Sequence, residues 1–266
     1  MQRQRKATFF VLAAIAAATG PIGAGSASPA AGSLSTSAPP PTSATTKTRV
    51  EPVAPVHPAP SHFTHGRVDN AWYPLRPGTR YVFKGAEDGV RERDVVLVTY
   101  QTEVIDGVTC RAVHDRLIIH GNVRERTTDW FAQTKRGTVW YFGERTAELN
   151  PRGRVVSREG SWRSGRHGAE AGIFMPRHPR VGQSFLQENS PGVAVDRFRV
   201  LSLHAHATAP LISSHHALLT KETTRLEPGV VDHKLYVRDI GQVSEQTVRG
   251  GDEALHLVSL RHVPRG

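Results

Sequence analysis

The stretch from Val108 to Glu144 limits most strongly what this chain can fold into. Its β-branched and aromatic residues are separated by two glycine-containing turns, the first at residues 121–122 and the second at residues 134–137. The pattern predicts three antiparallel strands, and no helical periodicity of any length follows residue 30. We therefore expect an all-β fold, a single antiparallel, strongly curved sheet or an open barrel or sandwich of roughly 10–14 strands with little helix.

The register of the first hairpin decides which side chains share a face of the sheet. A two-residue turn at residues 121–122 places His114 opposite Asp129. A three-residue turn would place Arg116 against Arg126, and directly facing like charges are unfavourable, so we favour the first register. Alternation along the strands then collects one polar and aromatic face, formed by His114, Arg116, Glu125, Thr127, Asp129, Phe131, Trp140, Phe142 and Glu144.

That face has two interpretations, an ordinary solvated sheet face with cross-strand ion pairs or the wall of a ligand-binding cleft. A second candidate region runs from Gly160 to Pro179, where four glycines lie beside several charged and aromatic residues. Its backbone N–H groups and arginines can hold an anion, although a loop that caps one barrel end is equally compatible. The candidate ligand-binding residues are His114, Arg116, Glu125, Asp129, Trp140, Phe142, Glu144, Trp162, Arg163 and Arg166.

The first 27 residues are typical of a secretory signal peptide, with a basic start, an apolar run from Ala7 to Ala18 and small residues near Ala27. The run is shorter than the about 20 residues that a spanning helix needs, and no second run follows. No stable membrane span is therefore expected after signal cleavage. Residues 28–61, rich in Ser, Pro, Ala and Thr, predict a disordered stalk before a β domain at 62–266. We expect a secreted protein, extracellular or associated with the cell wall.

The net charge and the missing sequence motifs limit which classes of function are expected of this chain. The net charge of +10 suggests contact with anionic envelope polymers or lipid head groups, whereas it is too dispersed to indicate nucleic acid. The lone Cys110 allows no disulfide within one chain and is expected to be a buried, inert thiol. No nucleophile elbow, P-loop or EF-hand loop occurs, so no cofactor is expected.

Four histidines, at positions 204, 206, 215 and 216, raise the question of a metal site. The Cys/His spacing of a structural zinc site and the His-Glu-x-x-His motif are both missing, so none is expected. Two functions stay open. The favoured one is non-catalytic binding of an apolar or amphipathic, lipid-like ligand or of an anionic envelope polymer. The alternative is a secreted hydrolase that uses Asp129, Glu144 and His114.

Three stretches carry a resemblance to known proteins: VDNAWYPLRPGTRYVFKG (68–85), TTDWFAQTKRGTVWYFGE (127–144) with GSW (160–162), and TKETTRLEPGVVDHKLYVRDIGQV (220–243). Together they resemble a family of uncharacterised secreted actinobacterial β-rich proteins. The ending from Tyr236 to Val243 also resembles that of curved-sheet envelope carriers of lipoprotein type, with Asp239-Ile240 where Gly-Val is common. The resemblance implies a β-rich exported protein and assigns no catalytic residue.

Overall fold

The computed structural model describes residues 57–265, so the expected signal peptide and most of the expected stalk lie outside the described residues. Within them the chain forms seventeen β-strands, one 3₁₀ turn at Pro60–His62 and no α-helix. The strands are β1 (Asp69–Asn70), β2 (Tyr73–Pro74), β3 (Thr79–Glu87), β4 (Val90–Ile105), β5 (Val108–Ile119), β6 (Asn122–Gln133), β7 (Val139–Leu149), β8 (Val155–Ser157), β9 (Trp162–Arg163), β10 (Glu170–Met175), β11 (Ser184–Leu186), β12 (Glu188–Asn189), β13 (Asp196–Ala209), β14 (Ile212–Thr224), β15 (Val231–Val237), β16 (Gly241–Arg249) and β17 (Ala254–His262).

Thirteen strands pair side by side in one antiparallel sheet, in the order β11-β13-β14-β15-β16-β17-β3-β4-β5-β6-β7-β10-β12. The sheet curls into a nearly closed, barrel-like structure with one seam. Strands β8 and β9 pair with β7 beside this path, and β1 pairs with β2 in a separate ribbon. The expected all-β fold, a single curved antiparallel sheet of 10–14 strands, is confirmed.

One short segment reaches both edges of the seam. Strand β11 pairs with β13, and β12, which follows after the single residue Gln187, pairs with β10. The Gln187 N–H donates a hydrogen bond to the Asp196 carbonyl oxygen at 2.8 Å. On β10, a Cβ at Gly172 would lie 2.1 Å from the Gln187 carbonyl oxygen, so only glycine allows this approach.

Three consecutive hairpins use the same tight turn. Asp88-Gly89, Asp106-Gly107 and His120-Gly121 are two-residue turns in which both residues have positive φ, as a type I′ turn requires. The first two are Asp-Gly pairs, which favour this turn, and the third lies one residue earlier than the turn expected at residues 121–122. Histidine adopts positive φ more readily than most non-glycine residues, which explains how His120 can occupy the first turn position.

The expected register of the β5–β6 hairpin is therefore wrong. The earlier turn and a bulge beyond Leu117 place Arg116 opposite Arg126 and His114 opposite Thr128. In the next ladder, a bulge in β7 pairs Asp129 with Glu144 and Phe131 with Tyr141. Because side chains alternate between the two faces, a slip of one residue moves a side chain to the other face.

The sheet has a hydrophobic cluster on each side of β5–β7. The inner cluster fills the barrel with buried aromatic rings, among them Phe83, Phe131, Tyr141, Phe174 and Tyr236. The outer cluster includes Cys110, Trp130, Trp140 and Phe142 and is covered by the entry segment, where the Phe63 ring meets the Phe142 ring at 5.6 Å. Burial raises the pKa of the Cys110 thiol, as expected for an inert cysteine. Trp72 and Tyr73 are buried as expected.

Two local expectations are wrong. Residues 160–179, expected to be a long loop, contain strands β9 and β10, which pair with β7 and form one side of the seam. The segment SHHALLTKETTRL (214–226) is compatible with one helical turn at its start followed by a strand, and a helical turn there is wrong, since β14 is continuous from Ile212 to Thr224. In both places the pairing with a neighbouring strand satisfies backbone groups that a loop or a single helical turn would leave unpaired.

Candidate functional site

The structure separates the expected ligand-binding face into two faces. On the inner face lie Glu125, Asp129 and Glu144, and on the outer face lie His114, Arg116, Trp140 and Phe142. The combined polar and aromatic face is therefore not formed. His114 lies on the other side of the sheet from Asp129 and Glu144, so the constellation expected for a hydrolase is not assembled.

The three candidates from the 160–179 segment also lie apart from one another. Trp162 is buried, and its Nε1–H donates a hydrogen bond to Glu188 Oε1 at 3.3 Å. Arg163 forms an ion pair with Glu103 and lies over the Trp130 ring, with its Cζ 5.1 Å from the centroid. Arg166 is exposed. The charge of Arg163 is thus neutralised by a protein carboxylate.

A groove of about 420 Å³ lies over β5, β6 and β7, and we call it the arginine groove. Its lining residues are His114, Asp115, Arg116, Arg126, Thr127, Thr128, Arg145, Ala147 and Arg158. The side chains of Asp115 and Thr127 are buried and alternate to the inner face, where Thr127 bonds Thr146. The walls of the groove that face outward are therefore basic.

The strand register builds this groove. Arg116 faces Arg126 across β5 and β6, and Arg126 faces Ala147 on β7. One pair further along, Thr128 lies between His114 and Arg145. The small side chains of Thr128 and Ala147 form the floor, and the longer arginine side chains surround it.

The fourth arginine comes from the segment beyond β8. Strand β8 pairs with β7 through Ser157 and Glu148, and Arg158 follows directly. All four groove arginines (Arg116, Arg126, Arg145 and Arg158) are exposed. Four guanidinium groups thus reach one groove from three adjacent strands and the end of a fourth.

The groove arginines have no acidic partner among residues 57–265. The ion pairs in this range join other residues, such as Arg67 with Asp69 and Arg163 with Glu103. Arg145 makes a cation–π contact instead, with its Cζ 5.8 Å from the Trp130 centroid. Burial, followed by the charges of Arg116 and Arg145, lowers the pKa of His114 below 6.5. The net charge of the groove lining is therefore positive, which suits an anion.

The inner face of the sheet carries acidic side chains, whereas the groove on the outer face is basic. Its buried carboxyl groups belong to Glu92, Asp94, Asp115, Glu125, Asp129, Glu144, Glu188, Asp196, Glu222, Asp232 and Glu245. Burial raises the pKa of Asp94 and of Asp196 to about 7. The buried Lys234 ammonium lies 3.0 Å from Glu222 Oε2 and 3.3 Å from Glu245 Oε1. The inner face therefore combines an ion-paired lysine with carboxyl groups whose pKa is raised by burial.

The histidines considered for a metal site lie on the exposed side of β13 and β14. The rings of His206 and His215 stack with centroids 4.3 Å apart, and those of His204 and His216 meet edge-on at 5.8 Å. Across the part of the chain that the structure describes, no group of three or more His, Cys, Asp or Glu residues could hold a metal ion.

The sequence interpretation missed Arg126, Arg145 and Arg158. Part of the signal was present, because the register that pairs Arg116 with Arg126 was considered and was rejected only for its like charges. Arg145 and Arg158 could not be placed without the β7 bulge and the β7–β8 pairing.

No protein-family model and no curated protein matches this chain. One solved structure is similar, a protein of Bacteroides fragilis described as an exported protein with a YmcC-like fold. It has 9% sequence identity and a TM-score of 0.43, over 72% of this chain and 99% of that one. Likeness at this level supports no inference of function. Between residues 57 and 265, no helix is long and apolar enough to cross a membrane.

Proposed function

We propose that this chain is an exported cell-envelope protein that binds an anionic envelope polymer, without catalysis, through the arginine groove. The observation that carries the proposal is the convergence of Arg116, Arg126, Arg145 and Arg158 on one groove with no acidic partner among the described residues. The signal peptide expected at residues 1–27 supports export, and the resemblance to secreted β-rich proteins agrees with it.

The arrangement of the arginines destabilises the folded protein when no anion is bound. Directly facing like charges destabilise a sheet by up to about 1 kcal/mol, and Arg116 faces Arg126 in this way. An anion between the two guanidinium groups would replace repulsion with charge-assisted hydrogen bonds. Arginine suits this role because its planar fork matches carboxylate and phosphate oxygens in pairs.

The exposure of the groove favours a polymer. All four guanidinium groups are reached from the outside of the barrel, so a chain can lie across β5–β7 without entering the interior. The inner face, by contrast, is filled with aromatic rings and carboxyl groups. These observations support a contact on the outer face of the sheet.

The proposal is tested by removing two groove arginines. The double variant Arg126→Gln/Arg145→Gln should bind an anionic cell-wall polymer about tenfold more weakly by titration calorimetry, because each lost exposed ion pair contributes up to about 1 kcal/mol. The control Arg91→Gln/Arg136→Gln removes the same charge from exposed positions outside the groove lining. Equal weakening in the two variants would contradict a groove-specific site and indicate general charge attraction.

The lipid-like ligand remains the competing proposal. A native mass spectrum of the mature protein, before and after denaturation, separates the two. A small apolar molecule released from the wild-type protein and from the double arginine variant alike would favour the competing proposal, whereas the polymer proposal predicts no such molecule.

A further inference from the structure

We infer that the arginine groove is a phosphoryl-binding site at which His114 takes up a proton when the ligand binds. The inference rests on the proposed function and adds to it the chemical class of the anion and a dependence on pH. It starts from the position of one imidazole within the groove.

His114 lies on the wall of the groove and is half-buried. On β5 its nearest outward neighbour is Arg116, and across Thr128 it faces Arg145. On the other side, β4 places Leu97 opposite it. The carboxyl groups of the neighbouring strand positions belong to the inner face, such as Asp115. The charged groups that share the outer face with the imidazole are therefore the guanidinium groups of Arg116, Arg126 and Arg145.

These surroundings keep the imidazole neutral while the groove is empty. Burial lowers the pKa of His114, and the positive charges of Arg116 and Arg145 lower it further. A bound anion would cancel the guanidinium field and accept a hydrogen bond from the protonated ring, and both effects favour the charged imidazole. Binding should therefore raise the pKa of His114, and by linkage the affinity should increase as pH falls through the interval between the two pKa values.

The number of donors favours a phosphoryl group over a carboxylate. A carboxylate has two oxygens and is satisfied by a single guanidinium fork. Consecutive phosphoryl groups of a polyphosphate are joined through a single oxygen, so their charges lie close enough together to engage several of the convergent guanidinium groups and the imidazole at once. A phosphate-bearing polymer therefore fits the groove better than a carboxylated one.

The first test follows the His114 ring by NMR titration, with the signal assigned from the variant His114→Gln. Long-chain polyphosphate is the probe, because its internal phosphates stay ionised over the titration range. Its addition should raise the pKa of His114. His233 is a matched control, because burial and then Lys221 lower its pKa too, but it lies on β15 outside the groove lining. An unchanged His114 titration with polyphosphate bound, or an equal shift of both rings, would overturn the inference.

The second test compares affinities from about pH 7.5 to about pH 5.5. Wild-type protein should bind polyphosphate several-fold more tightly at the lower pH, up to about tenfold for a pKa change of one unit. His114→Gln should lose this dependence while circular dichroism shows an intact fold. Polyglutamate, a carboxylate polymer, should bind more weakly than polyphosphate at every pH. Tighter polyglutamate binding, or a pH dependence retained in His114→Gln, would overturn the inference alone, whereas no binding of either polymer would contradict the proposed function as well.

Discussion

At the scale of single residues, burial keeps acids and bases of this protein in their uncharged forms on both sides of the sheet. On the inner face, the side chains of Asp94 and Asp115 are buried next to each other, and a hydrogen bond joins the two carboxyl groups. Burial raises the pKa of Asp94 to about 7 and that of Asp115 well above its usual value. On the outer face, burial and guanidinium groups lower the pKa of His114.

The raised carboxyl pKa values predict that the protein is most stable in mild acid. A group whose folded-state pKa is raised contributes its full stability below its unfolded pKa, and that stability is lost as pH rises towards the folded value. For Asp94 the interval runs from 3.8 to about 7. The free energy of unfolding, measured by urea denaturation, should therefore decrease between about pH 4 and about pH 7.

Asp94→Asn should make this decrease smaller. Because the amide has no charge to bury, the variant should gain stability relative to wild type on going from about pH 5 to about pH 8, on the order of 1–3 kcal/mol. Asp88→Asn is the control, at an exposed turn position. If the free energies of unfolding of Asp94→Asn and of wild type change in parallel with pH, the buried carboxyl at residue 94 is not the titrating group.

At the scale of elements, most strands could be predicted from the sequence and the register could not. Strand β5 was expected at 108–119 and β15 at 231–237, as found, because β-branched runs and Asp-Gly or Gly-containing turns mark their limits. The face that each side chain occupies depends on the residue that starts the turn and on bulges. His120 at positive φ and the bulges in the β5–β6 and β6–β7 ladders are set by packing, which no local pattern records.

The sequence interpretation missed the arginine groove because its β5–β6 register was wrong by one residue. His114 and Arg116 were expected to share a face, as they do in the structure, but they were grouped with inner carboxyl groups instead of Arg126 and Arg145. The like-charge pair of Arg116 and Arg126, which argued against the observed register, is one of the features on which the proposed anion site rests. Sites that bind ions often break the rules that favour stability, and sequence reasoning then selects the wrong pairing.

The close approach of the two sheet edges at the seam requires glycine at position 172. Gly172→Ala would place a Cβ within 2.1 Å of the Gln187 carbonyl oxygen, so β10 and the β11–β12 segment would have to separate. Thermal and urea unfolding should show a loss of about 1–3 kcal/mol or more. Gly229→Ala is the matched control, because no atom lies within 4 Å of a Cβ there. Equal stability of the two variants would show that the seam tolerates wider spacing.

At the scale of the whole molecule, the described chain from residue 57 forms a continuous sheet whose first residues are tied to it. His57 Nε2 lies 2.9 Å from Asp106 Oδ2, and its ring packs 5.3 Å from that of Phe142. The expected boundary between stalk and domain at residues 61–62 therefore lies just inside this contact. Limited proteolysis should cut before residue 57 and leave a stable fragment of residues 57–265, and early cuts within β3–β17 would contradict this.

The central claim, that the arginine groove binds an anion, is tested most directly by locating one. Crystals soaked in tungstate, a tetrahedral oxyanion with strong anomalous scattering, should show their highest anomalous peak over the outer face of β5–β7. Oxygens of that ion should lie within about 3.5 Å of guanidinium nitrogens from at least two of Arg116, Arg126, Arg145 and Arg158. The peak should be lost in Arg126→Gln/Arg145→Gln and kept in Arg91→Gln/Arg136→Gln. A groove empty of tungstate, with ions bound at other arginines of the same crystal, would contradict the account.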